Sequence, residues 1–76
     1  MIVREKKVQE LKVGEIIVFK RGGDVAQQTG TVSAVEITGK YVTIWFTGSN
    51  DATGYILSEK HETILITKAR FLTTKN

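Results

Sequence analysis

Helical periodicity is weak along the whole chain. β-Branched and aromatic residues cluster instead in short runs bounded by glycine or polar pairs, the signature of strands. The first run, Glu15-Ile16-Ile17-Val18-Phe19-Lys20-Arg21, is entered through Leu11-Lys12-Val13-Gly14 and left at Gly22-Gly23-Asp24. Its unbroken apolar centre predicts a strand buried on both faces. After a loop from Val25 to Gln28, the run Thr29 to Ile37 slips phase between Val32 and Val35, which predicts a bulge or sharp bend. Thr38-Gly39-Lys40 is a hairpin connection into Tyr41 to Thr47, a strand closed by the turn-rich stretch Gly48 to Gly54. Two further strands, Tyr55 to Ser58 and Thr63 to Thr67, are joined by Glu59-Lys60-His61-Glu62. Residues 1–12 fit either an added edge strand through Ile2-Val3-Arg4 or a short helix carrying Val8 and Leu11 on one face, and residues 68–76 read as a turn and tail.

Five short strands with one bend and one long early loop predict an all-β, five-stranded small barrel, because so small a sheet protects its edges best by curling on itself. The 76 residues make one domain. A chain this short buries only about 60% of the surface its unfolded form exposes, so every large apolar residue is a candidate for the core. Alternation in the strand 41–47 puts Val42, Ile44 and Phe46 on one face, expected to share a core with Ile17, Phe19 and Val32. The other face holds Tyr41, Thr43 and Trp45, two large aromatics where a solvated strand would carry charge. Three roles are open to them: a second small core under the N-terminal segment or under Phe71 and Leu72, a self-association surface, or a platform on which a base or a partner's side chain stacks.

Charge changes the picture only when it is divided along the chain. The net charge is +3, but residues 1–21 carry six basic and three acidic side chains, residues 22–59 one and four, and residues 60–76 four and one. If the fold brings its ends together, Lys20, Arg21, Lys68 and Arg70 would form a basic patch able to attract phosphate backbones or acidic protein surfaces. The chain has no cysteine, which removes disulfides and thiolate metal sites and is compatible with a reducing, cytoplasmic setting. No run approaches the ~18 apolar residues of a membrane span. The opening MIVREKKVQE carries charge where a signal peptide needs its apolar stretch, so a complete soluble chain is expected.

Candidate chemistry is sparse. His61, the only histidine, lies in a turn with Glu59 and Glu62, a spacing that does not converge on a metal. Ser33, Ser49 and Ser58 have no histidine at a matching strand position, and Gly22-Gly23 and Gly39 belong to hairpin turns, not to a phosphate loop. No catalytic residue, metal, cofactor or small-molecule substrate is expected.

The run Gly14-Glu15-Ile16-Ile17-Val18-Phe19, then Gly22, then Gly30-Thr31-Val32, resembles the KOW-type pattern of SH3-like small barrels over residues 13–35. Ala26 or Gln27 stands where that family tends to have a further glycine, and Gly30 falls about one residue late. The resemblance implies an SH3-like barrel of the kind that binds RNA or protein in ribosomal and transcription-associated assemblies. Gly54-Tyr55, Ser58-Glu59, His61, Ile64-Leu65-Ile66-Thr67 and Leu72 look like the C-terminal half of the type II dihydrofolate reductases, also SH3-like barrels. Leu65 stands where their pore strand has its ligand-binding glutamine, so that activity is not expected here. The expected function is therefore a stand-alone binding module, monomeric or weakly self-associating. Nucleic acid is its first expected partner, with Lys20, Arg21, Lys68 and Arg70 on phosphate and Tyr41 or Trp45 stacking. The alternative is an accessory or inhibitory protein, such as a phage or mobile element encodes, that docks on a larger host protein through the Trp45 face.

Overall fold

The computed structural model describes residues 3–20, 27–48 and 51–68. Expectations placed on Ile2, Arg21, Gly22-Gly23, Ser49, Arg70, Phe71 and Leu72 concern positions outside the described residues. Six strands form, β1 (Val3–Lys7), β2 (Ile16–Phe19), β3 (Gln28–Thr38), β4 (Tyr41–Gly48), β5 (Thr53–Glu59) and β6 (Thr63–Thr67), with a 3-10 helix at Val8–Glu10. They make one sheet in the order β1-β6-β2-β3-β4-β5, antiparallel throughout.

The sixth strand is a correction to the expected five, and it arises because the N-terminal segment adopts both of its candidate forms in succession. Val3–Lys7 adds to the edge of β6, pairing Val3 with Thr67 and Lys7 with Thr63. The Val8 N–H then donates to the Glu62 carbonyl at 3.0 Å, and the Leu11 N–H closes one helical turn on the Val8 carbonyl at 3.3 Å. That turn swings Val8 and Leu11 inward, where both are buried. Lys6 fastens β1 from the side: its Nζ lies 2.9 and 3.0 Å from the two carboxylate oxygens of Glu15, which also accepts the Lys12 N–H at 2.7 Å.

β2 is buried on both faces, with Ile17 in the main core and Val18 covered on the opposite side of the sheet. In β3 the register passes from Val32↔Phe46 directly to Ala34↔Trp45, so Ser33 is an extra residue and the strand bulges there. The phase slip in the sequence is this bulge, and it turns Val32 and Val35 to the same face. Gly39 then takes φ +60 in the two-residue Gly39-Lys40 connection between β3 and β4, the first position of a type II′ hairpin turn, where glycine carries no steric cost.

The sheet curls far enough for strands that are not neighbours to meet. The rings of Phe19 on β2 and Phe46 on β4 lie 4.7 Å apart, although β3 runs between those strands. Val8, Leu11, Ile17, Val32, Val42, Ile44, Phe46 and Ile66 form one buried cluster, with Phe19, Val35, Ile56 and Ile64 packed against it. Val42, Ile44 and Phe46 thus share a core with Ile17, Phe19 and Val32, as alternation predicts. The Phe46 ring rests on bare backbone at Gly30, where an added Cβ would fall 2.6 Å from the ring's Cδ1. The fold is an all-β, barrel-like small domain, and among the described residues no helix is long and apolar enough to cross a membrane.

Truncating the central ring, Phe46→Ala, is expected to cost ~3–5 kcal/mol, which removes most or all of the stability of a domain this size. Gly30→Ala should cost ~1–3 kcal/mol by overpacking against the same ring. Phe46→Leu in the Gly30→Ala background should recover part of that loss, so a denaturation double-mutant cycle should show clear non-additivity.

Burial pushes the Glu15 carboxyl upward. The hydrogen bonds from Lys6 and from the Lys12 N–H, with the charges of Lys6 and Arg4, outweigh it and hold the group below the ordinary glutamate value of 4.5. A carboxyl lowered by folding contributes stability above its unfolded value and loses it as pH falls through its folded value. Stability should therefore decline from about pH 5 downward. Glu15→Gln should be less stable than the parent at neutral pH and lose less on acidification, as read from unfolding midpoints across that range.

Candidate aromatic interface

Outward from the core, β4 presents Tyr41, Thr43, Trp45 and Thr47. The ladders on either side extend this into a three-strand face. Trp45 lies between Ala34 on β3 and Tyr55 on β5, Thr43 between Glu36 and Leu57, and Tyr41 between Thr38 and Glu59. The β3 bulge sets the first column, since without it Ala34, Glu36 and Thr38 would point into the core.

Four large apolar side chains on this face are in water. Tyr41 and Trp45 are each 42% exposed, Tyr55 61% and Leu57 59%. Trp45 and Tyr55 hold each other, with ring centroids 5.1 Å apart and planes tilted by 45°, a geometry worth about 0.5–1.5 kcal/mol beyond area burial. On the β3 side the residue paired with Trp45 is Ala34, whose side chain is a single methyl group. Lys40 Nζ lies 5.5 Å from the Tyr41 ring centroid, a cation–π contact at the rim. The two carboxylates on the face are Glu36 and Glu59, both exposed.

The N-terminal segment does not cover Trp45. It pairs with β6 at one end of the strand order, while β4 and β5 lie at the other. The capping role considered for that segment fails because its hydrogen bonds are committed to β6. Phe71 and Leu72, the other candidate cover, lie outside the described residues.

The basic patch is not assembled as expected either. β2 and β6 are side by side, but they run antiparallel, pairing Ile16 with Thr67 and Val18 with Leu65. Lys20 follows the end of β2 and Lys68 follows the end of β6, so the two lysines sit at opposite ends of the pair, about 16 Å apart at ~3.3 Å per residue. Neighbouring strands bring their C-terminal ends together only when they run parallel, and β2 and β6 do not. Arg21 and Arg70 lie outside the described residues.

In the β5–β6 turn, Glu62 accepts the Glu59 N–H at 2.8 Å and the Ser58 hydroxyl at 2.7 Å, and these bonds hold its carboxyl below the usual range. His61 Nδ1 lies 3.6 Å from Glu59 Oε1 in solvent. These groups staple a turn. Among the described residues no group of three or more histidine or acidic side chains converges as a metal site.

Sequence reasoning missed Tyr55 and Leu57. The signal was present in the alternation Tyr55-Ile56-Leu57-Ser58. Placing those residues beside Trp45 and Thr43 also required the β4–β5 register, which the local pattern of either strand does not carry. Fold and face together define a small all-β barrel-like domain with an outward aromatic surface. Compared with known proteins, the chain matches no family model, no curated protein and no solved structure.

An indole so placed should emit near the wavelength of tryptophan in water and be readily quenched by iodide or acrylamide. Trp45→Ala should cost only about 1 kcal/mol of stability, mostly its contact with Tyr55, and not the ~3–5 kcal/mol of a buried aromatic. A blue-shifted, protected emission would show the face to be covered.

Proposed function

We propose that the chain is a non-enzymatic docking module, an accessory or inhibitory protein that holds a larger protein through the outer face of β3, β4 and β5. The observation that carries this reading is the contiguous exposed surface of Trp45, Tyr55, Leu57 and Tyr41. Tryptophan and tyrosine are the residues that most often dominate binding energy at protein interfaces, and a domain of this size does not leave three of them in water beside a leucine without a use for them. The carboxylates of Glu36 and Glu59 at the rim repel a phosphate backbone and tolerate a mixed or basic protein surface.

Nucleic-acid binding is the second reading. Its support is the net charge of +3 together with aromatic rings suited to stacking on bases. It is weakened by the separation of Lys20 from Lys68 and by the acidic rim of the aromatic face. The SH3-like description belongs with the proposal as well. The five strands after β1 run β6-β2-β3-β4-β5, with the first and last of them paired as in such barrels, and β1 is an addition to that plan.

Capture from lysate, with and without nuclease, separates the two. Docking on protein predicts that nuclease leaves the captured species unchanged. It also predicts a shallow dependence of log K on log salt, where phosphate contacts would make it steep. Trp45→Ala and Tyr55→Ala should each weaken capture by about tenfold or more. Loss of capture on nuclease treatment would transfer the function to nucleic acid.

A further inference from the structure

Two backbone hydrogen bonds set the phase of the β4–β5 ladder. The Lys60 N–H donates to the Lys40 carbonyl at 2.9 Å, and the Gly48 N–H donates to the Ala52 carbonyl at 2.7 Å. Because bonding alternates along an antiparallel pair, Gly54, Ile56 and Ser58 exchange bonds with β4, while the backbone groups of Thr53, Tyr55, Leu57 and Glu59 point away from it. Glu59 is satisfied locally, since its N–H donates to Glu62 Oε1 and its carbonyl accepts the Glu62 N–H at 3.0 Å. Among the described residues β5 pairs with β4 alone. The N–H and carbonyl groups of Thr53, Tyr55 and Leu57 thus form an open row. Edges are commonly blunted by lysine, proline or a bulge, and this one carries none of them.

Beneath this edge lies a groove of ≈ 500 Å³, floored by Phe19, Phe46, Ile56 and Ile64, with Lys20 and Tyr55 at its rim. It exists because the β2–β6 pairing stops at Val18↔Leu65, while Thr63 and Ile64 continue pairing only with β1. The end of β2 and the start of β6 therefore part where β5 passes. The volume falls within the ~300–1,000 Å³ of ordinary binding pockets, and the apolar floor is joined by the hydroxyls of Ser58 and Thr63 and by the one cation, Lys20.

We propose that β5 takes up an extended peptide segment of the docked protein as an added strand, with an apolar side chain of that segment entering the groove and an acidic one meeting Lys20. This rests on the reading of the chain as a protein-docking module. The open backbone row supplies the hydrogen bonds of strand addition. A strand added there turns alternate side chains toward the groove and toward the outer face beside Tyr55 and Leu57. The cation at the rim supplies charge complementarity. The occupant is thereby a peptide with apolar residues at alternate positions and a neighbouring carboxylate.

The test selects a display library of random short peptides on the full chain, then follows amide hydrogen exchange with an enriched peptide bound. In the free protein, Tyr55 and Leu57 amides should exchange quickly and Gly54, Ile56 and Ser58 slowly. Enriched peptides should show apolar alternation with Asp or Glu, and binding should slow the Tyr55 and Leu57 amides by about tenfold or more. Alternate N-methylation of the peptide should abolish binding. Leu57→Pro, which removes an unpaired N–H at a position where edges tolerate proline, should lose the peptide while keeping its circular dichroism. Should that variant misfold, Lys20→Glu serves instead and should switch selection from acidic to basic peptides. Failure of any peptide to enrich, or enriched peptides that leave β5 exchange untouched, overturns the proposal. So does concentration-dependent protection of Tyr55 and Leu57 in the protein alone, which would assign the edge to a second copy. A captured protein whose binding needs Trp45 but leaves the β5 amides fast overturns strand addition and leaves outer-face docking standing. Protection of β5 by a ligand indifferent to Trp45→Ala overturns outer-face docking.

Discussion

One extra residue in the longest strand governs this molecule. Ser33 bulges from β3 between Val32 and Ala34, and a single insertion exchanges the faces of every residue beyond it. Before the bulge, Val32 packs inward opposite Phe46; after it, Val35 packs inward opposite Ile44, two residues that unbroken alternation would place on opposite sides. The same insertion sharpens the local bend, which lets Phe46 reach Phe19 past the strand between them. β2 pairs with β3 only ahead of the bulge, from Gln28 to Thr31, so the insertion acts on the β4 side of the strand alone.

The bulge also decides what the outer face contains. By turning Ala34, Glu36 and Thr38 outward it gives Trp45 a small neighbour and Thr43 an acidic one, and leaves the aromatic column uncovered from the β3 side. On the β5 side, the cover is Tyr55 and Leu57, themselves more exposed than the residues they flank. The inner face meanwhile closes without these residues. Val8 and Leu11, delivered by the helical turn after β1, fill space that the strands alone leave open. A domain of this length can hold a tryptophan in water because its N-terminal segment supplies core from outside the five-strand unit.

Much of this was legible in the sequence, and the reasons differ by element. Period-two alternation identified the β4 faces, because a half-buried strand must alternate. The slip from Val32 to Val35 located the bulge for the same reason. The doubly buried β2 followed from its unbroken Ile16-Ile17-Val18-Phe19. Relations between strands were far less legible. Whether Lys20 meets Lys68 depends on strand direction, and whether Tyr55 joins Trp45 depends on register; neither leaves a trace in the local pattern of either strand. The N-terminal segment offered a strand pattern and a helical one, and only tertiary contacts, Lys6 on Glu15 and the Val8 N–H on Glu62, show that both are used in turn.

The two edges of the sheet are treated differently, and the proposed strand addition rests on that asymmetry. At the β1 edge the strand carries Arg4, Glu5, Lys6 and Lys7, four consecutive charged residues that discourage another strand from pairing there. At the β5 edge the corresponding positions are Thr53, Gly54, Tyr55, Ile56 and Leu57, with no charge before Glu59. Selection for solubility alone would guard both edges, since either can seed aggregation. A guarded edge at one end of the sheet and an unguarded one at the other, with Tyr55 and Leu57 on one face of the open strand and a groove floored by Phe19, Phe46, Ile56 and Ile64 on the other, is the arrangement that the proposed strand addition requires.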